Sequence, residues 1–113
     1  MVERSLSKLS RGQICLINLD PTVGSEVKKT RPCVVFSPPE MNQDLRAVIV
    51  VPMTSKGTTA PFRISITFDA KKGLILVDQI RTIDKSRLVK KLGAVIPKTL
   101  ESSLLALQET FTL

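Results

Sequence analysis

The sequence predicts a mainly β fold, a small and strongly bent antiparallel sheet or barrel with one C-terminal helix packed against it. Three observations carry this prediction. Short apolar runs separated by segments rich in Gly, Pro and Asp fill the chain as far as residue 95. Residues 62–68 alternate between apolar and polar side chains, which is the period of a strand with one buried face. From Pro97 onward, apolar residues recur at helical spacing.

The first half of the chain is predicted to hold three strands. Residues 13–19 form a near-continuous apolar run, long enough for a buried strand, and the turn-rich residues 20–25 end it. Residues 32–36 form the second strand, which two prolines stop. Residues 40–44 are predicted to form one helical turn, and residues 45–53 form the third strand.

The second half is predicted to continue the sheet. Residues 56–61 form a loop, the alternating residues 62–68 form the fourth strand, and residues 69–73 form a hairpin turn. Residues 74–77 are predicted as a fifth strand, and residues 88–95 are a weaker candidate for a sixth.

The C-terminal segment is predicted to be an amphipathic helix. Leu100, Leu104, Leu107 and Phe111 fall at helical spacing. Pro97 suits the first position of a helix, where its missing N–H has no intrahelical partner. The chain therefore reads as five or six strands followed by one helix, in a single domain 1–113 whose residues 1–10 are a polar N-terminal segment.

The charge of the chain favours a polyanionic partner. Lys and Arg number 17 against 10 Asp and Glu, which gives a net charge of +7, and the simplest such partner is nucleic acid. A basic protein without that ligand remains an open alternative. With no Trp or Tyr, and with its four Phe in or beside apolar patterns, the chain is poorly supplied with base-stacking platforms. No apolar run is long enough to span a membrane.

The two cysteines and the absent histidine limit the chemistry. Cys15 and Cys33 each lie inside an apolar run, so we expect buried and unreactive thiols. Two cysteines without histidine do not make an ordinary structural zinc site. Because the N-terminus carries no secretory signal, we expect the reducing cytoplasm as the location. Acid–base chemistry must come from carboxylates, Arg or Lys.

Two polar segments beside predicted strands are the candidate site. The basic segment 24–32 ends by placing Arg31 at the start of the second strand, and the third strand is followed by the hydroxyls of Thr54 and Ser55. The end of a strand is a rigid base, and the loop beyond it is open to a ligand, which favours a polar site there.

Motifs along nearly the whole chain carry a family resemblance. In order they are Arg11-Gly12, Asp20-Pro21-Thr22, Gly24-Ser25-Glu26, Thr30-Arg31-Pro32, Val51-Pro52-Met53-Thr54-Ser55, Val77-Asp78-Gln79-Ile80-Arg81-Thr82-Ile83 and the leucine-rich helix. This ordered set resembles the MazF/PemK family of toxin endoribonucleases (mRNA interferases) from type II toxin–antitoxin systems.

The resemblance implies an SH3-like barrel of the type shared by MazF and the gyrase-poisoning toxin CcdB. It also implies a homodimer and an antitoxin whose acidic C-terminal segment covers the active site. The implied activity is cleavage of single-stranded mRNA to 2′,3′-cyclic phosphate and 5′-hydroxyl ends, which needs no metal or other cofactor. Such cleavage inhibits translation and growth.

The resemblance also implies site residues. It maps the catalytic centre to Arg31 and Thr54, as a phosphate-binding cation and a hydroxyl donor. Glu26 is a candidate to take the 2′ proton, or it holds Arg31 in place. Asp78 is a second candidate base. Surface roles for these residues without catalysis remain the alternatives.

Further residues are expected to bind the RNA substrate through charge and hydrogen bonds. They are Ser25, Lys28, Lys29, Ser55, Lys56, Asp78, Gln79 and Arg81. Two other functions stay open for the same sequence. One is a nucleic-acid-binding barrel without catalysis, and the other is a toxin of the same fold that acts on gyrase.

Overall fold

The computed structural model describes residues 8–19 and 30–113. Seven strands and two α-helices lie within these ranges. In chain order they are β1 (Gln13–Asn18), β2 (Thr30–Val35), α1 (Pro39–Asp44), β3 (Ala47–Thr54), β4 (Arg63–Phe68), β5 (Lys71–Leu76), β6 (Arg81–Asp84), β7 (Leu88–Ala94) and α2 (Pro97–Thr110). Short 3₁₀ turns at Val77–Gln79 and Lys85–Arg87 flank β6. The mainly β fold with a C-terminal helix is confirmed.

The strands form one bent antiparallel sheet in the order β4-β5-β3-β2-β1-β7, with β6 also paired to β3. The long strand β3 organises the bend. Its residues 47–50 pair with β6, its residues 50–52 pair with β2, and its last residues, 53–54, pair with β5. One strand thus pairs with three neighbouring strands, and the sheet curls into a half-barrel.

The central strands are buried on both faces. Ile14 belongs to one apolar cluster, whereas its neighbour Cys15 belongs to another, and Val34 and Val35 divide in the same way. Because successive side chains of a strand point to opposite faces, each face needs its own apolar cover. This explains why these strands read as continuous apolar runs, while β4, which is exposed on one side, alternates.

The structure corrects two local predictions. The hairpin turn consists of Asp69 and Ala70 alone, with φ angles of 55° and 63°, the left-handed backbone of a two-residue hairpin turn. Strand β5 therefore begins at Lys71, three residues earlier than predicted. Strand β6 was not predicted, because Ile83 is its only apolar residue and its pairing with β3 is a long-range contact.

Helix α2 begins at Pro97 as predicted and covers one side of the sheet. Leu100, Leu104 and Leu107 pack against the same cluster as Ile14 and Val34. Phe111, which follows the last residue of the helix, is 73% exposed. No helix within the described ranges is long and apolar enough to cross a membrane.

Gly12 lies where helix α2 packs closely against the sheet. Its N–H donates to the carbonyl of Val35 and its carbonyl accepts from the N–H of Val95. Its φ is +95°, and a Cβ there would lie 2.9 Å from a methyl carbon of Leu100. A larger residue would therefore strain the backbone and push α2 away from the sheet.

The two cysteines are buried, as predicted, and both are free thiols. Cys15 and Cys33 stand opposite each other in the β1–β2 ladder. Burial raises the pKa of Cys15 to about 11 and that of Cys33 to about 12. Both thiols therefore stay protonated, and poorly nucleophilic, at neutral pH.

Candidate functional site

Arg31 and Thr54 lie at the same end of two adjacent strands. In the β2–β3 ladder, Cys33 pairs with Pro52. Continuing that antiparallel register by two residues, toward the start of β2 and the end of β3, brings Arg31 opposite Thr54. Both side chains are partly exposed. The two residues that the resemblance assigned to the catalytic centre are therefore brought together by the sheet.

A cavity of about 430 Å³ opens on one side of this pair, against the β4–β5 hairpin. We call it the hairpin cavity. Its lining comprises Arg31, Pro32, Met53, Thr54, Ser55, Lys56, Ile66, Phe68, Asp69, Lys71, Lys72 and Gly73. Four cationic side chains thus face one carboxylate among these residues, around an apolar floor. Such a cavity attracts an anionic ligand that also has an apolar face.

A second cavity, of about 380 Å³, opens on the other side, next to the 3₁₀ turn that follows β5. We call it the turn cavity. Its lining comprises Leu19, Arg31, Pro52, Thr54, Lys56, Arg63, Leu76 and Gln79. Arg31, Thr54 and Lys56 line both cavities. This shared group, the central triad, stands between them.

The backbone of the central triad is held firmly. The carbonyl of Arg31 accepts a hydrogen bond from the thiol of Cys33, with sulfur and oxygen 3.6 Å apart. The hydroxyl of Thr54 accepts the N–H of Lys56 at 3.2 Å. A Cβ at Gly73 would lie 2.7 Å from the carbonyl oxygen of Thr54, so only glycine permits this close approach of β5 to β3.

Asp78 is engaged in an ion pair. Its two carboxylate oxygens accept from Nε and Nη2 of Arg63, at 3.2 and 3.1 Å, a bidentate geometry. These hydrogen bonds hold the pKa of Asp78 below its ordinary value. A carboxylate whose proton affinity is lowered and whose oxygens are occupied is a poor proton acceptor. The ion pair instead anchors the turn that carries Gln79 into the turn cavity.

Arg81 lies where β1 ends. Its guanidinium donates to the carbonyl of Leu19 at 3.4 Å, and Arg87 donates to the carbonyl of Asn18 at 3.2 Å. Asn18 is paired in turn with Thr30 at the start of β2. The two arginines therefore fix the backbone beside the turn cavity. In the structure, the guanidinium of Arg81 contacts the protein backbone, whereas its predicted contact with RNA remains a prediction.

The predicted site residues thus fall into groups. Ser55 and Lys56 join Arg31 and Thr54 around the hairpin cavity, while Gln79 lies in the turn cavity. Four predicted residues, Ser25, Glu26, Lys28 and Lys29, lie outside the described residues. The lining also includes polar, charged and aromatic residues that were not predicted, among them Arg63, Phe68, Lys71 and Lys72. Only the strand pairing brings them close to Arg31, although a basic pair beside a hairpin turn was a usable signal.

The described ranges hold no group of three or more His, Cys, Asp or Glu side chains placed to bind one metal ion. The charge at the site is instead supplied by arginine and lysine.

The sequence matches the family described as PemK-like, MazF-like toxin of type II toxin–antitoxin system over residues 10–111. Endoribonuclease PemK from Escherichia coli is 40% identical over 108 residues, which cover 90% of this chain and 80% of that protein. Endoribonuclease toxin MazF from Escherichia coli K12 is 33% identical over 91 residues, covering 80% of this chain and 82% of that protein.

Solved structures show the same fold. MazF from Deinococcus radiodurans superposes with a TM-score of 0.79 at 24% identity, covering 93% of this chain and 97% of that one. A MazE–MazF structure from the same organism gives a TM-score of 0.80 at 24% identity, covering 91% of this chain and 95% of that one.

Proposed function

The chain belongs to the PemK-like, MazF-like toxins of type II toxin–antitoxin systems and is an endoribonuclease, and from this premise we propose that it cuts single-stranded mRNA. The cut depends on sequence, needs no metal ion, and inhibits translation and growth. The observation that carries the proposal is that Arg31 and Thr54 both line each of the two cavities. A scissile phosphate at the central triad has room for a nucleotide on each side.

The reaction is a transesterification within the RNA. The 2′ oxygen attacks the neighbouring phosphorus, the bond to the 5′ oxygen breaks, and the products carry a 2′,3′-cyclic phosphate and a 5′-hydroxyl. The transition state has extra negative charge on the non-bridging oxygens. One group must take the 2′ proton, one must supply a proton to the leaving oxygen, and donors must meet the developing charge.

Arg31 is the main electrostatic stabiliser. Its planar guanidinium suits two oxygens of one phosphate, and it carries a permanent positive charge. The same property makes it a reluctant proton donor, so its donation to the leaving oxygen is secondary. Lys56, which lines both cavities with it, adds a second positive charge.

Thr54 supplies a hydroxyl hydrogen bond to a non-bridging oxygen. Its oxygen already accepts the N–H of Lys56, so the hydroxyl hydrogen is the group directed to the ligand. Ser55, the next residue, lines the hairpin cavity and helps to orient the phosphate.

Glu26 is our choice for the general base. The alternative, Asp78, is held by Arg63 in a bidentate ion pair that lowers its pKa. A general base works best with a pKa near the operating pH, and the ion pair moves Asp78 away from it. In this assignment Asp78 is a positioning residue for the turn that carries Gln79.

The test is to incubate a long single-stranded RNA with the protein in excess EDTA. We expect discrete cuts in primer extension, with 5′-hydroxyl ends and cyclic phosphates at the new 3′ ends. Loss of cleavage in EDTA and its return with magnesium would contradict the metal-free mechanism. Binding without cutting would identify a nucleic-acid-binding barrel, and DNA damage without RNA cleavage would point to gyrase.

We also propose a homodimer in the cytoplasm and an antitoxin whose acidic C-terminal segment competes with RNA. The net charge of +7 and the two cations of the central triad support the acidic competitor. Exposed apolar side chains support the dimer, since Ile96, Leu105 and Phe111 are 65%, 53% and 73% exposed. A monomer in light scattering at micromolar concentration would contradict the dimer.

A further inference from the structure

We infer that the hairpin cavity is a nucleobase subsite, in which Phe68 stacks on the base of one nucleotide next to the scissile phosphate. The inference rests on the proposed function, because it places that phosphate at the central triad. It assigns a substrate-binding role to a residue that neither the charge pattern nor the family motifs single out.

The position of the cavity is the first argument. Since Arg31, Thr54 and Lys56 line both cavities, a phosphate bound by the central triad has the hairpin cavity on one side. A nucleotide attached to that phosphate can therefore enter the cavity. The volume of about 430 Å³ lies within the range of small-molecule sites and is ample for one base.

The apolar lining is the second argument. Phe68 stands beside Ile66, Pro32 and Met53 in the hairpin cavity. Its ring is partly buried and packs against the apolar cluster that contains Ile14 and Val34, which restrains it. Phe68 is also the last residue of β4 before the two-residue turn. A fixed and partly exposed aromatic ring beside a phosphate site is the arrangement that stacks unpaired bases.

The cations at the rim are the third argument. Lys71 and Lys72 follow the hairpin turn and line the same cavity, with Asp69 as the carboxylate among its lining residues. Single-strand binding sites combine an aromatic platform with cations that follow the phosphate backbone. Phe68 and the two lysines reproduce that combination within one hairpin.

The two cavities then differ in how they read RNA. The turn cavity is lined by Gln79, whose side-chain amide can hydrogen-bond to a base edge, whereas Phe68 offers a ring that every base can stack on. The nucleotide in the hairpin cavity is therefore bound with little regard to its identity. The nucleotide on the other side of the cut is the one that is selected.

The experiment is a double-mutant cycle between Phe68 and the RNA. The cut is first mapped on wild-type protein, and a short RNA is then made with 2′-deoxyribose at the cleaved nucleotide, which removes the nucleophile. Binding is measured for this RNA and for two versions that are abasic on one or the other side of the scissile phosphate. Phe68→Leu removes the ring but keeps an apolar side chain, and Phe68→Tyr keeps the ring.

We expect Phe68→Leu to weaken binding of the intact RNA by about tenfold, in the range for a lost base–aromatic stack. One abasic RNA should weaken binding to wild type equally, with no further loss in Phe68→Leu. Phe68→Tyr should bind like wild type. A merely structural role for Phe68 predicts losses that add, and additive losses for both abasic RNAs would overturn the inference.

Lys72→Ala is the second variant, with Lys98→Ala as its control, since Lys98 is an exposed lysine on α2. Lys72→Ala should lower the slope of log K against log salt by about 0.7, and Lys98→Ala should leave it unchanged. If Lys72→Ala and wild type gave equal slopes, Lys72 would not contact the phosphate backbone in this subsite. If the wild-type protein cuts no RNA, both the proposed function and this inference are wrong. If wild type cuts and the cycle shows no coupling, only the inference falls.

Discussion

The sheet carries polar side chains near both ends of β2, and the two ends use them differently. At the open end, Arg31 and Thr54 face two cavities. At the closed end, Ser37 and Asn42 are 1% and 0% exposed. The side-chain amide of Asn42 donates to the carbonyls of Leu9 and Ser37 at 3.2 and 3.0 Å, and its oxygen accepts from the hydroxyl of Ser37.

The difference lies in where the hydrogen-bonding capacity goes. At the closed end, the hydroxyl of Ser37 also accepts the N–H of Ile49, so the polar groups are used within the protein and stabilise the fold. At the open end, the side chains of Arg31 and Thr54 line two cavities, where their donors can meet a ligand. A polar residue at a strand end is therefore a site candidate when its donors face a cavity.

The largest expected effect is at the open end. Arg31→Ala should lower the rate of RNA cleavage on the order of 10²- to 10³-fold, as removal of a dedicated transition-state donor does. The free energy of unfolding should stay close to that of wild type, because the side chain is partly exposed. Single-turnover cleavage and urea unfolding measure the two quantities. Arg31→Lys should recover little activity, and full recovery would show that charge alone suffices.

The closed end should respond in the opposite way. Asn42→Ala leaves two carbonyls and a hydroxyl without their partner in a buried setting, so the free energy of unfolding should fall by about 2 to 3 kcal/mol. The cleavage rate per folded molecule should remain that of wild type. Gln43→Ala, at the exposed neighbouring position, is the control. A cleavage defect in stable Asn42→Ala protein would break the contrast between the two ends.

A smaller effect is expected at Asp78. Asp78→Asn should lower cleavage by less than about tenfold, because the residue positions a turn, whereas loss of a general base costs about 10²- to 10⁴-fold. Glu26→Gln should show the larger loss. If Asp78→Asn lost activity on that larger scale and Arg63→Gln did not, Asp78 would be the base. The pH–rate profile of each variant, measured from pH 5 to 9, separates these outcomes.

The smallest effect concerns the two core thiols. Burial raises the pKa of Cys15 to about 11 and of Cys33 to about 12, from an ordinary value of 9.0. Between pH 9 and pH 12, the folded state therefore keeps thiol protons that the unfolded state releases. The contribution of the two thiols to the free energy of unfolding is full well below pH 9 and is lost as the pH rises toward 12. The loss between pH 7 and pH 9 should be less than about 1 kcal/mol.

Urea unfolding at several pH values tests this expectation. The chain has no tyrosine, so buried phenols do not contribute to the alkaline response. A variant with both Cys15→Ala and Cys33→Ala should show a flatter dependence above pH 9. Rapid alkylation of either thiol in the folded wild-type protein at pH 8 would contradict buried, protonated cysteines.

Much of the fold could be predicted because most strands carry their own signal. Strand β4 has strict alternation, and the central strands have apolar runs that fit burial on two faces. Two features had no such signal. One is strand β6, whose only apolar residue is Ile83, and the other is the start of β5 at Lys71. Both depend on partners that are distant in sequence, and propensity alone does not reveal those partners.

The candidate site divides in the same way. The family motifs identified Arg31 and Thr54, and the β2–β3 register brings them together. The motifs gave no role to Phe68 or Lys72, because a phenylalanine in an alternating strand indicates core and a lysine beside a turn indicates a solvated surface. Only the fold of the hairpin against the end of β3 places these side chains in one cavity.

The pairing of Asn18 with Thr30 has a consequence for protein engineering. Strand β1 ends at Asn18, and β2 begins at Thr30, which is its partner in the sheet. Hydrogen bonds from Arg81 and Arg87 to the carbonyls of Leu19 and Asn18 fix the end of β1. Doubling the length of a connection costs only about 0.6 kcal/mol in closure entropy. Replacing the connection between these two paired residues by one of a different length is therefore expected to leave the strand register unchanged.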